Sequence, residues 1–152
     1  MTRLRQRLRE ETGSALVEFV FVALVVFLPL VYVVAGLSAV QRGVFASTEA
    51  AREAGRAIGT ASDVTSGLAQ AERAAQLAVE DQSVDATDVR VQYAPDGADC
   101  EAAGSYTPTL TPGERFSVCV TVTVRIPMLP DFIDANTATG QFVVERDRYV
   151  DG

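Results

Sequence analysis

Apolar residues run almost unbroken from Ser14 to Val40, "SALVEFVFVALVVFLPLVYVVAGLSAV", where Glu18 and Tyr32 are the only ionisable groups. As a helix this run measures about 40 Å, against about 30 Å for the hydrocarbon core of a bilayer. The pattern predicts a transmembrane helix with length to spare for tilt or for projecting beyond the membrane. A cleavable signal peptide fits less well, because its apolar core spans about 7–15 residues before a small-residue cleavage site. Here the best such site, around Val33–Ala35, lies far along the run. Pro29 frees the carbonyl of Val25 and predicts a kink or local loosening.

Helical signals continue past Val40. "QRGVFASTEAAREAGRAIG" holds strong helix formers, with Glu49–Arg52 and Glu53–Arg56 as i,i+3 pairs of opposite charge. Gly59 and the turn-like "TASD" after it predict a stop, giving one long helix over about 15–58. Gly36, Ala39, Gly43, Ala46 or Ser47, Ala50 and Ala54 recur along it at alternating spacings of three and four, forming one stripe. Such a seam lets another backbone approach closely, the usual way helices associate in or near lipid; the plainer reading is that alanine simply favours helix. A second helix is predicted over 64–81, with Asp63 as N-cap and Val64, Leu68, Ala71, Ala75 and Ala78 on its apolar face.

The period then drops from 3.6 to 2. "DVRVQY" (88–93) alternates, a loop rich in Gly, Pro and Asp follows, and "RFSVCVTVTVRI" (115–126) is the clearest strand. Phe116, Val118, Val120, Val122, Val124 and Ile126 fall on its apolar face. Ser117, Cys119, Thr121, Thr123 and Arg125 fall on the other. After the break "PMLPDFIDAN", residues 137–150 read as a third strand. Three antiparallel strands with one apolar face need a cover, which the second helix or the upper part of the first can supply, so the predicted class is α+β. The organisation expected is a leader over 1–13, a span over 14–40, a helix extension over 41–59 and a head over 60–152.

Charge orients this arrangement. Arg3, Arg5, Arg7 and Arg9 precede the span, and the segment after Val40 carries 17 acidic residues against 9 arginines. An acidic segment gains nothing from an anionic cytoplasmic leaflet. The expected orientation is therefore single-pass in the cell membrane, with the amino end cytoplasmic and the head outside. Cys100 and Cys119, the only cysteines, suit an oxidising exterior. A bridge between them would pin the long loop to the strand at about 3 kcal/mol; the alternative is two free, buried thiols. An acidic head also argues against nucleic-acid binding.

The chain has no histidine, lysine or tryptophan. The common Ser–His, Cys–His and Ser–Lys nucleophile activations are thus unavailable, and a zinc site is not expected. Asp131 with Asp134, or Asp96 with Asp99, could in principle do acid–base work, but acidic residues beside loops are far more often solvated surface. Neither an enzyme, a cofactor, a metal nor a small-molecule substrate is expected.

Glu18 then needs an explanation, because a carboxylate inside an apolar run is costly. Cleavage after Gly13 would give Ser14 a free ammonium four residues from Glu18, one helical turn along the same face. The carboxylate would then pair with its own amino terminus or a neighbour's. Uncut, Glu18 could stay hydrated near the membrane boundary. "RLREETG–SALVEF" resembles the leader and junction of type IV prepilins: a basic leader, a glycine, then an acid five residues later and an aromatic, Phe19. The stretch over 12–57 resembles the TadE-like proteins of tight-adherence (Flp) pilus systems, of actinobacterial type, and the ending "LPDFIDANTATGQFVVERDRY" is a weaker match.

The resemblance implies a minor pseudopilin. Gly13 would be the recognition residue of a prepilin peptidase, Ser14 the new terminus, and Glu18 with Phe19 the docking residues. Its partners would be membrane lipid, the peptidase, and pilins or other assembly proteins of the pilus, these last packed along the Gly36–Ala54 stripe. Many TadE-like sequences carry the membrane proline nearer the acid than Pro29 stands here. The competing expectation is a permanently anchored surface binding module that is neither processed nor built into a pilus.

Overall fold

The computed structural model describes residues 2–104, 106–125 and 136–149. Its elements in chain order are helix α1 (Thr2–Gly59), helix α2 (Val64–Asp81), strand β1 (Ala86–Pro95), a short 3-10 turn (Cys100–Ala102), strand β2 (Arg115–Val124) and strand β3 (Asn136–Glu145). The α+β class is as the residue pattern implies. By contact density the chain forms two compact units, Met1–Leu37 and Ser38–Gly152.

Helix α1 begins earlier than the expected residue 15, because "TRLRQRLREE" is itself made of strong helix formers and contains no proline. It also continues through Pro29. Helix α2 starts where the cap predicts: Asp63 Oδ1 accepts from the Ser66 amide at 2.9 Å.

In the second unit the strands form one antiparallel sheet in the order β1–β2–β3. Strand β1 is longer than the alternating 88–93 core, with a register shift between Ala86 and Asp88. Strand β3 ends at Glu145, short of the expected 150, because the chain then turns and Arg146 folds back into the interior. Ile126, assigned to the apolar face of β2, lies outside the described residues, as do Asp131 and Asp134.

The helices cover a single face of this sheet. Phe116, Val118, Val120 and Val122 on β2 are fully buried with Ala46, Ala50, Ala54 and Ile58 of α1 and with Ala71 and Ala75 of α2. Complete burial of Phe116 or Ile58 stabilises the fold by about 1.5–3 kcal/mol each. Phe116 also meets Tyr93 edge-on at 6.2 Å between ring centres.

The small residues of α1 explain how closely it lies on β3. A side chain at Gly43 would meet Val124 at 2.6 Å and Ala138 at 3.6 Å, and one at Gly55 would run into Phe142. Conversely, a Cβ at Gly140 of β3 would collide with the backbone of Ser47 and Thr48. From Gly43 to Gly59 the helix therefore follows β3 from Ala138 to Val144 in the same direction. Bulk on one surface faces glycine on the other, the complementarity that close packing demands.

This corrects the expected use of the stripe. Ala39, Ala46, Ser47, Ala50 and Ala54 are buried inside their own unit. The chain's own sheet occupies the seam that was expected to receive a partner's helix. Of the stripe only Gly36 is open, with nothing within 4 Å of a Cβ placed there.

The second face of the sheet is not simply polar and wet, as strict alternation implies. Ser117 and Cys119 are buried there, because the loop after β1 folds over them. The Cys100–Cys119 disulfide ties that loop down across a Cα separation of 5.6 Å. Gln141 of β3 reinforces it by donating to the Ala98 carbonyl at 3.2 Å and to Ser117 Oγ at 3.0 Å.

Candidate functional site

Residues 15–37 of α1 form the apolar stretch that the sequence singles out. From Leu16 to Leu37 the large apolar side chains are exposed, several to more than 60%. The helix from Ala15 onward is the one element among the described residues long and apolar enough to cross a membrane, with a peak mean hydropathy of 2.8. Exposed Leu, Val and Phe all round a helix are not what an ordinary water-facing surface presents.

The expected processing and docking residues all fall on this one helix. Gly13 and Ser14 lie within α1, and neither interrupts it. Glu18 and Phe19 are both exposed, so each side chain is available to whatever surrounds the helix. The remaining residues assigned to helix packing, Ala39, Gly43, Ser47, Ala50 and Ala54, are used in the head's own core.

The head carries open grooves on its surface. One of about 500 Å³ lies over the outer sheet face between Asp99, Glu101, Thr121, Thr139 and Gln141, beside the disulfide. Another of about 430 Å³ runs between Glu49 and Glu53 of α1 and the end of α2. These glutamates are held by Arg52 at 3.3 Å and by Arg56 at 3.2 Å, as their spacing implies. Asp96, one of the carboxylates considered for acid–base work, faces Arg115 at 3.8 Å on the surface. Among the described residues no three His, Cys, Asp or Glu side chains are grouped to hold a metal.

Two polar centres in the head escape a reading of the sequence. The carboxylate of Glu114 accepts from Tyr106 Oη at 2.7 Å, from the amides of Thr109 and Thr111 at 3.0 and 3.1 Å, and from Thr109 Oγ1 at 2.9 Å. Partial burial pushes this carboxyl up, but the Thr109, Tyr106 and Thr111 hydrogen bonds outweigh it and hold the group below its ordinary value. The Tyr106 phenol is pushed up to about 12, by burial and by its bond to Glu114. A group whose folded pKa is depressed stabilises the protein fully above its unfolded pKa, and that contribution fades as pH falls toward the folded value. The stability advantage of the natural chain over Glu114→Gln should therefore be constant near neutrality and shrink below about pH 4.3. Thermal melts of both proteins across the acid range measure it.

The second centre is Arg146, which is buried and donates from Nη1 to the carbonyls of Gly59 at 3.0 Å and Ala61 at 2.7 Å. It completes the end of α1. The helix ends at Gly59 as expected, without a positive φ there. Thr60 N and Oγ1 donate to the Arg56 carbonyl and Ala61 N to that of Ile58, and Arg146 adds donors for the Gly59 and Ala61 carbonyls.

Comparison with known protein families, with curated proteins and with solved structures finds no match. What the geometry itself defines is an α+β head built on a long helix whose amino-terminal part has the length and surface of a membrane span.

Proposed function

We propose that the protein is a membrane-held minor pseudopilin of a tight-adherence (Flp) type pilus, with a structural and assembly role. The observation that carries this reading is the division of labour along α1. Its first part exposes apolar side chains all round, and its last part is the core of a disulfide-tied head. A helix built this way anchors its head and at the same time offers a lipid-embedded surface to its neighbours. The prepilin-like junction of Gly13, Ser14 and Glu18 lies at the start of that surface. The amino end is cytoplasmic and the head, with its disulfide, is extracytoplasmic.

The occupied stripe refines where neighbours would dock. From Ala39 onward that face of α1 is already filled, which leaves the span itself, with Glu18, Phe19 and the open Gly36, to meet pilins and other assembly proteins. Inside lipid a carboxylate is tolerable when paired, and the pairing makes it selective. An amino terminus at Ser14, the chain's own or a neighbour's, supplies the cation.

The decisive experiment is the amino-terminal sequence and intact mass of the protein extracted from its native membranes. A start at Ser14 is expected. A start at Met1 would remove the processing step and leave a permanently anchored surface module. In the same membranes Glu18→Gln should still insert while retaining about tenfold less of the co-purifying pilus subunits, equivalent to one interaction of about 1.4 kcal/mol.

A further inference from the structure

One side of α1 in the head unit remains apolar and uncovered. Away from the glycines that meet the sheet, Val40 is 40% exposed, Val44 48% and Phe45 70%, with Gln41 and Arg42 exposed among them. One turn later the outward positions become polar: Thr48, Arg52 and Arg56 are exposed. A seam for a second helix lying along the head would repeat apolar residues every three or four positions beyond this point. Here they stop at Phe45.

Where they stop matches a bilayer. From Ala15 to Phe45 the helix contour is about 45 Å at about 1.5 Å per residue. The hydrocarbon core with both headgroup layers is about 40–45 Å thick. Counted along the helix, the apolar residues thus run out one bilayer thickness after Ala15, and at such a boundary aromatic rings settle and arginine reaches from an apolar stem to the phosphates.

We propose that Val40, Val44 and Phe45, with Arg42, form a lipid-contact patch that seats the base of the head in the headgroup and upper acyl region of the membrane. Gly43, on the other side of the same turn, touches Val124 and Ala138. Those ends of β2 and β3 thus lie beside the patch. The inference rests on the reading of the apolar part of α1 as a membrane span.

The chain has no tryptophan, so each substitution Phe45→Trp, Phe27→Trp or Tyr149→Trp introduces a single reporter. Phe45 and Tyr149 are exposed, so neither change disturbs the core. The full chain would be reconstituted in phosphatidylcholine–phosphatidylglycerol vesicles, with and without lipid brominated high on the acyl chain. Brominated lipid should lower emission of Phe45→Trp about twofold and leave Tyr149→Trp unchanged, since interfacial side chains lie about 5–10 Å into the headgroup boundary. Quenching of Phe27→Trp without Phe45→Trp would overturn the patch and keep the span. Quenching of neither would overturn both. Blue-shifted but unquenched emission of Phe45→Trp that depends on the protein-to-lipid ratio would assign the face to a second copy, and would likewise overturn the lipid contact.

Discussion

Gly140→Ala should destabilise the head by about 3 kcal/mol, toward the upper end of what overpacking costs. The added methyl group would meet the Ser47 carbonyl and the Thr48 amide nitrogen, which are helix backbone and cannot swing aside as a side chain can. To admit it, α1 must lift from β3, and that loosens Ala46, Ala50 and Ser47, all fully buried. In a thermal melt of the full chain in detergent, the loss corresponds to about 12 °C or more in Tm. Gly36→Ala is the matched control, because a Cβ there meets nothing. It should be neutral or add up to about 1 kcal/mol through helix propensity. Equal melting of the two variants would mean that α1 does not rest on β3 as closely as the structure places it.

Arg146→Met should cost about 2–4 kcal/mol. The substitution keeps most of the aliphatic bulk but removes two charge-assisted hydrogen bonds and leaves the Gly59 and Ala61 carbonyls without their donor. Both bonds come from the single Nη1 atom, so Arg146→Lys can supply a donor. It should recover only part of the loss, because an ammonium is more strongly hydrated than a guanidinium and costs more to bury. Hydrogen exchange gives a local reading: the Ala61 amide, bonded to the Ile58 carbonyl at 3.3 Å, should exchange faster in Arg146→Met than the amides within β2. Uniform loss of protection would point to global unfolding and not to a frayed helix end.

Both variants act at places where chain segments distant in sequence meet, and this separates what could be read in advance from what could not. The alternation of Phe116 to Val124 fixes β2 and its buried face locally, because neighbouring side chains in a strand must point to opposite sides. Asp63 sets the start of α2 through a bond only three residues away. The length of the Ser14–Val40 run and the lone Glu18 within it need no tertiary contact to be recognised, since the solvent they imply is lipid. The Cys100–Cys119 disulfide is the pairing expected of two cysteines if the head is exported, with two free thiols as the alternative.

Other assignments failed or stayed silent because their signals are shared by different structures. A stripe of small residues reads the same whether a partner's helix or the chain's own sheet fills it; only the placement of β3 decides for the sheet. Gly140 did carry a hint, since an isolated glycine in a strand marks a close backbone approach, but the sequence does not say to what. Nothing near Arg146 or Glu114 distinguishes them from solvated surface charges, as their partners include Gly59 and Ala61 for one and the Tyr106–Thr111 loop for the other. By itself, then, the sequence determined the elements and the apolar span, because these rest on local periodicity and on the preference of each residue for water or lipid. The tertiary structure alone decided which surface covers the glycine seam, which distant donor reaches the end of α1, and which apolar side chains are left facing outward, because those depend on contacts that form only once the sheet is laid against the helix.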